Sequence, residues 1–195
     1  MSPIILFFLF WFFGFIFFWR VPYPRSSGRY NETPLRISII IPARNEEKNL
    51  GRLLQSLKDQ PLKAHEIIVV DDHSEDSTAE IGRKAGCIVL SSKDLPEGWT
   101  GKPWACWQAV HQATGEIFVF LDADTFLESD GLLRILSTYL EHGGLLSIQP
   151  FHRMEKIYER LSAIFNIAIM AGMNSFTLWG SRHKPSGAFG QIGSA

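Results

Sequence analysis

The segment Ile117-Phe118-Val119-Phe120-Leu121-Asp122-Ala123-Asp124 passes directly from a short apolar run into a pair of carboxylates. A continuous apolar run of this length is typical of a strand buried in a parallel sheet. Asp122 and Asp124 stand two residues apart, so an extended backbone places both side chains on one face. Their oxygens suit Mg²⁺ or Mn²⁺, which typically links protein carboxylates to a diphosphate. The alternative is an acidic turn, because Asp is common in loops.

The residues on either side of this segment predict alternating strands and helices. Apolar, largely β-branched runs predict further strands at 37–41, 67–70, 88–90 and 145–148. Leucine spacing and turn residues predict helices at 46–60, 77–85, 103–113 and 132–140, with Gly86 capping the second of them. This alternation predicts an α/β fold with a mostly parallel sheet covered by helices on both faces.

Polar loops follow the first, second and fourth predicted strands, at residues 42–46, 71–76 and 122–124. The carboxyl ends of parallel strands meet at one edge of the sheet, where α/β proteins bind their ligands. The chain lacks both the GxGxxG and the GxxxxGK[ST] phosphate-binding patterns. An acidic crevice without a phosphate loop needs a metal ion to hold a polyphosphate, since carboxylates alone would repel it.

Lys102 follows Gly101 near a predicted helix start, where it adds a positive charge beside a bound polyphosphate. The alternative is that Asp72 and Asp76 cap a helix while Lys102 is solvated. Taken together in this order, the loops and the lysine favour a site for a nucleotide diphosphate.

Residues 3–19, PIILFFLFWFFGFIFFW, carry no charge and have the length of a short transmembrane helix. A signal peptide is the competing interpretation, but no basic residue precedes this run and no small-x-small cleavage site follows it. Trp19 suits a membrane interface, and Arg20, Arg25 and Arg29 place the following domain in the cytoplasm by the positive-inside rule. We therefore expect an uncleaved, single-pass signal anchor in the cell membrane.

Residues 20–35 have linker composition, with three prolines and a Ser-Ser-Gly. The folded domain is predicted at 36–195, where the apolar but Asn-interrupted stretch 161–179 favours a core or interfacial helix over a second membrane span. The formal net charge of −1 argues against a general nucleic-acid binder. Cys87 and Cys106 have no CxxC partner, so neither a zinc site nor a disulfide is expected.

Three motifs resemble the signature of family 2 glycosyltransferases of GT-A fold: IIIPARNEE at 39–47, VVDDHSEDST at 69–78 and FLDADT at 120–125. Four further segments are similar to the 4,4'-diaponeurosporenoate glycosyltransferase subgroup, which acts in carotenoid biosynthesis. They are GWTGKPWACWQA at 98–109, LLSIQPFH at 145–152, LSAIFNIAIMAGMN at 161–174 and GAFG at 187–190.

The resemblance implies roles for the loop residues. The uracil and ribose of a UDP-sugar would be surrounded by Asp71 or Asp72 and by Pro42, Ala43, Arg44, Asn45 and Glu46. Asp122 would approach the ribose or the metal, and Asp124 would be the principal ligand of Mg²⁺ or Mn²⁺. The family inverts the anomeric carbon by in-line attack of the acceptor, and the metal neutralises the leaving diphosphate. A carboxylate acceptor is already ionised and needs little help from a general base.

The expected function is a membrane-anchored inverting glycosyltransferase that moves a sugar, expected to be glucose, from a UDP-sugar to a hydrophobic acceptor such as a carotenoid carboxylic acid. The alternatives are a polyprenyl-phosphate or polysaccharide glycosyltransferase and a non-catalytic, membrane-tethered nucleotide-sugar-binding protein. In the enzymes that this chain resembles, a catalytic carboxylate lies further downstream than residue 195. The chain is therefore expected to be the donor-binding half, and no catalytic base is assigned.

Overall fold

The computed structural model describes residues 3–17 and 35–148. The helices are α1 (Pro3–Phe17), α2 (Leu50–Lys58), α3 (Thr78–Lys84), α4 (Gly101–Val110) and α5 (Gly131–His142). The strands are β1 (Ile37–Ala43), β2 (Glu66–Asp71), β3 (Ile88–Ser91) and β4 (Ile117–Phe120). Helix α1 belongs to a different compact unit from the sheet.

The sheet has the strand order β3-β2-β1-β4, and every neighbouring pair is parallel. In the register, Ile40 stands opposite Ile68 on one side and Phe120 on the other. At the carboxyl edge, Ala43 pairs with Asp71 and Asp71 with Ser91, so the chain leaves these strands at one level. The predicted parallel sheet is confirmed, and its carboxyl edge collects the three polar loops.

Alternating residues of the central strand β1 pack on opposite faces, as the two-residue repeat of a strand requires. On one face Ile39 and Ile41 join a buried cluster with residues of α2 and α5: Leu50, Leu53, Leu54, Leu57, Leu132 and Leu136. On the other face Ile40 packs with Ala105 and Ala109 of α4. Helices therefore cover both faces of the sheet, as predicted.

Two helix starts differ from the prediction. Helix α2 begins at Leu50 rather than at residue 46, because a turn precedes it in which the amides of Asn49 and Leu50 donate to the Glu46 carbonyl. Helix α4 begins at Gly101, two residues before Pro103. A proline is tolerated there because the amides of a first turn have no partner within the helix.

The strand predicted at 145–148 is wrong: these residues have no regular secondary structure. Gly143 and Gly144, with φ of 67° and 74°, follow the end of α5, and Leu145 is 88% exposed. Hydrophobicity alone supplies no partner for pairing, and no strand of the described sheet pairs with residues 145–148. The predicted helix at 161–179 and the motifs from residue 149 onward lie outside the described residues.

Helix α1 has 15 residues, and the apolar side chains of residues 4–12 are exposed. Within residues 3–17 and 35–148, no helix combines the length and the hydropathy that crossing a bilayer requires. The predicted anchor at 3–19 is therefore not supported by a described helix. Its last two residues and nearly all of the predicted linker at 20–35 lie outside the description.

Gly115, just before β4, is predicted to tolerate no side chain, because a Cβ there would lie 2.4 Å from Ser38 Oγ and 2.8 Å from the Arg36 carbonyl oxygen. We expect Gly115→Ala to lower the free energy of unfolding by about 1–3 kcal/mol. The matched control is Gly51→Ala in α2, where the nearest atom, Ile81 Cγ2, is 3.9 Å away. That variant should gain about 0.5–1 kcal/mol. Urea denaturation measures both, and equal effects would contradict the close approach at Gly115.

Candidate functional site

A cavity of about 260 Å³ lies at the carboxyl edge of the sheet, beside the start of α4. It is lined by Pro42, Ala43, Arg44, Glu46, Asp72, Lys102, Ala105, Asp122, Ala123 and Asp124. All three polar loops therefore contribute to one cavity, as the sequence predicted. A larger cavity of about 390 Å³, which involves α2 and α3, has no carboxylate among its lining residues in the described part of the chain. The smaller cavity, which contains the carboxylates, is therefore the candidate site.

Asp122 is almost buried, with 8% of its surface exposed, and the Lys102 ammonium donates a hydrogen bond to its carboxylate. The amide and the hydroxyl of Thr125 both donate to the Asp122 carbonyl, at 3.1 and 2.7 Å, and close a turn around Asp124. A buried carboxylate needs such a cationic partner, because desolvation of an unpaired charge is costly. The sequence predicted Lys102 beside a diphosphate; in the structure its ammonium pairs directly with Asp122.

Asp72 lies against the first residue of α4. A Cβ at Gly101 would stand only 2.9 Å from Asp72 Oδ2, so glycine is what permits this approach. The other carboxylate oxygen is 3.3 Å from His73 Nδ1, and the Asp72 amide donates to the Ala43 carbonyl at 2.9 Å. The positive end of the α4 dipole therefore faces an acidic residue of the cavity.

Asn45 and Asp71, two of the predicted nucleotide-binding residues, are not among the residues that line the cavity. Asn45 has a positive φ of 54°, its amide donates to Ser74 Oγ at 3.0 Å and its Oδ1 accepts from the Glu75 amide at 2.8 Å. Asp71 Oδ1 accepts from the Ser74 amide at 3.3 Å. Both side chains hold the second loop in place, and their contact with a nucleotide stays a prediction.

Two of the lining residues, Ala105 and Ala123, are not among those predicted from the sequence. Ala105 lies on the buried face of α4, and Ala123 is 4% exposed within the core. A signal existed for Ala105, because Ala105 and Ala109 repeat at helical spacing. Small side chains at both positions leave room between the loops.

The carboxylates of the cavity suit a metal ion whose remaining coordination positions are filled by substrate phosphates and water. Within residues 3–17 and 35–148, no group of three or more His, Cys, Asp or Glu side chains is arranged to hold a metal ion. Mg²⁺ is usually held by one or two carboxylates together with substrate phosphates and water rather than by a protein cage. Asp122 and Asp124, hard oxygen ligands in one cavity, suit that mode of binding.

The chain is similar to known glycosyltransferases. A model of the family described as Glycosyl transferase family 2 matches residues 38–187. The chain is 43% identical over 172 residues to 4,4'-diaponeurosporenoate glycosyltransferase of Staphylococcus haemolyticus (strain JCSC1435), an alignment that covers 86% of this chain and 46% of the relative. Identity to the protein of that name from Staphylococcus aureus (strain USA300) is 41% over 160 residues, covering 80% and 42%. The chain thus spans less than half the length of these relatives.

Solved structures show the same fold. Glucosyl-3-phosphoglycerate synthase from Mycobacterium tuberculosis, in complex with Mn²⁺, UDP and glucosyl-3-phosphoglycerate, is 25% identical with a TM-score of 0.53, covering 76% of this chain and 53% of that one. A mycobacterial protein is 26% identical with a TM-score of 0.56, covering 79% and 52%.

The expected family and its carotenoid-related subgroup are both confirmed by these similarities. The family match covers residues 38–187, and the described part of that range contains the parallel sheet and the loops at its carboxyl edge. The chain belongs to glycosyl transferase family 2.

Proposed function

We propose that this chain binds a UDP-sugar in the 260 Å³ cavity together with Mg²⁺ or Mn²⁺. The observation that carries the proposal is that Asp122 and Asp124 share this cavity with Asp72 and Lys102 at the carboxyl edge of a parallel sheet. A divalent ion bound there supplies positive charge that stabilises the leaving diphosphate. The Mn²⁺ and UDP in the mycobacterial synthase support this choice of ligands.

Different residues of the cavity are proposed to bind the diphosphate, the nucleoside and the metal. Lys102, near the start of α4, supplies a cation for the diphosphate, and the helix dipole adds to it. Residues 42–46 and Asp72 hold the nucleoside, with the Asp72 carboxylate as an acceptor for hydroxyl or ring N–H donors. Asp122 and Asp124 hold the metal. Charged groups fixed in a partly buried cavity act more strongly than the same groups in water.

The proposed reaction is an inverting transfer of a sugar, proposed as glucose, to a hydrophobic carboxylic acid of the carotenoid type. The acceptor carboxylate oxygen attacks the anomeric carbon, the bond from that carbon to the diphosphate oxygen breaks, and UDP leaves. An acid with an ordinary pKa is ionised at neutral pH, so the attack requires no proton removal. The name of the staphylococcal relatives supports this acceptor class.

We also propose that the protein acts at the cell membrane, with one membrane-spanning segment and the sheet domain in the cytoplasm. The exposed apolar side chains of residues 4–12 and the arginines at 20, 25 and 29 support this arrangement.

Product analysis with a radiolabelled UDP-sugar tests the proposed function. The full chain is incubated with Mn²⁺ and an apolar polyene carboxylic acid in detergent, and in parallel with a polyprenyl phosphate. A labelled sugar ester is the expected product, and Asp124→Asn should abolish it. Asp130→Asn, in a carboxylate outside the cavity that pairs with Arg134, is the matched control and should retain activity. A lipid-phosphate sugar, or binding without any product, would overturn the proposed reaction.

A further inference from the structure

The first and second loops are joined through the hydroxyl of Thr78, a fully buried residue at the start of α3. The Glu46 amide donates to Thr78 Oγ1 at 2.8 Å, and this hydroxyl in turn donates to Asp76 Oδ1. The other oxygen of Asp76 accepts from the Glu47 amide at 3.1 Å. The amide of Glu46, the last residue of the first loop, and the amide of Glu47, which follows it, therefore donate to the Thr78–Asp76 pair.

The charge of the Asp76 carboxylate suits its role as the acceptor of these hydrogen bonds. The hydrogen bond from the Thr78 hydroxyl, and then the amides of Thr78 and Glu47, hold the pKa of Asp76 below its usual range. The carboxylate is therefore the form that accepts these donors at neutral pH. Hydrogen bonds to a charged acceptor are stronger than those between neutral groups. A further contact, in which the Ser77 amide donates to Glu47 Oε2 at 3.3 Å, joins the residues that directly follow the two loops.

We propose that Thr78 and Asp76, neither of which lines the cavity, are positioning residues that hold the first loop in the geometry that binds the donor. The inference rests on the proposed function. Arg44 and Glu46 do line the cavity, and they flank Asn45, whose amide and side-chain oxygen are hydrogen-bonded to the second loop. Because Thr78 and Asp76 hold the amides of Glu46 and Glu47, the backbone that carries the lining side chains keeps one conformation. Such preorganisation reduces the ordering that a ligand must otherwise impose.

The chain contains a matched control at the opposite edge of the sheet. Ser38 is also fully buried, its Oγ accepts from the Gly115 amide at 2.9 Å, and its hydroxyl donates to Glu66 Oε1 at 2.6 Å. The same order of amide, hydroxyl and carboxylate thus occurs at both ends of the strands. Burial raises the pKa of Glu66, but the hydrogen bonds from Ser38 and Thr114 outweigh it and hold that pKa below its ordinary value. Ser38 contributes nothing to the cavity lining, so its loss changes stability alone.

The experiment compares Thr78→Val, Thr78→Ser and Ser38→Ala in the full chain by calorimetric titration with UDP and Mn²⁺. Thr78→Val is expected to bind UDP about tenfold more weakly, which corresponds to about 1.4 kcal/mol. Thr78→Ser keeps the hydroxyl and should restore the affinity to within about twofold, whereas Ser38→Ala should match wild type. Amide exchange provides a readout without ligand: Thr78→Val should speed exchange at Glu46 and Glu47, and Ser38→Ala should speed it at Gly115.

Asp76→Ala, at a partly exposed position, keeps the test decisive if the valine variant does not fold. It removes the acceptor of the Glu47 amide and should also weaken UDP binding. The positioning role is overturned if wild type binds UDP and these variants bind it equally well. It is also overturned if Ser38→Ala loses as much affinity as Thr78→Val, or if serine fails to restore binding. A wild-type chain without UDP affinity would instead overturn the proposed function, and the positioning role with it.

Discussion

Replacing Lys102 by Met is expected to weaken UDP binding by about tenfold or more and to destabilise the fold at the same time. The first effect follows from the loss of the cation proposed to contact the diphosphate. The second follows because Asp122 has only 8% of its surface exposed and loses the ammonium that neutralises it. The lysine side chain is itself 55% exposed, so water reaches this pair and limits the loss of stability to about 1–3 kcal/mol.

A double-mutant cycle separates these two effects. Adding Asp122→Asn to Lys102→Met removes the uncompensated charge and should restore much of the stability without restoring UDP binding. Lys84→Met is the matched control, since Lys84 forms an exposed ion pair with Glu80 at 2.8 Å. Its loss should leave stability and UDP binding nearly unchanged, because water screens this exposed pair. Denaturant melts and calorimetry measure both quantities. Wild-type UDP affinity in Lys102→Met would exclude the lysine as a donor-binding residue.

Replacing Gly101 by Ala is expected to move stability and UDP affinity in opposite directions. Alanine favours the helix by about 0.5–1 kcal/mol over glycine, so the variant should not be less stable. Its Cβ, however, would stand 2.9 Å from Asp72 Oδ2, and the carboxylate must turn away from its place in the cavity. Loss of an optimal hydrogen bond from the nucleoside to this carboxylate should lower UDP affinity about tenfold.

The control for this variant is Gly51→Ala, also in the first turn of a helix but outside the cavity lining. It should show the gain in stability and an unchanged UDP affinity. Thermal unfolding and calorimetric titration of both variants decide the point. If Gly101→Ala binds UDP like wild type, then Asp72 does not contact the nucleoside from its observed position.

The sequence predicted the sheet well because its strands are continuous apolar runs that end in polar residues. The observed register places Ala43, Asp71 and Ser91 at one level, so the ends of three of these runs lie together. Helix starts were harder, because Pro103 was expected to mark the start of α4, whereas it occupies the third position of that helix. Any residue of the first turn lacks an amide partner within the helix, so proline does not identify one position uniquely.

The site was predictable in composition but not in contacts. The sequence predicted that one edge of the sheet holds Asp72, Lys102, Asp122 and Asp124, and all four line the cavity. It did not show that Asn45 joins two loops instead of lining the cavity, because its positive φ and its bonds to residues 74 and 75 depend on tertiary structure. For the same reason, the pairing of Lys102 with Asp122 across 20 residues of sequence has no local signal.

Isothermal titration of UDP into the full chain, with Mn²⁺ and then with a chelator in its place, decides whether this cavity binds a nucleotide diphosphate through a divalent metal. Wild type should bind UDP with Mn²⁺ and lose about tenfold or more in affinity without it. Asp124→Asn should bind with Mn²⁺ only as weakly as wild type does without the metal, while Asp130→Asn should behave as wild type. UDP affinity that is the same with and without Mn²⁺, and the same in Asp124→Asn, would contradict the metal-dependent donor site.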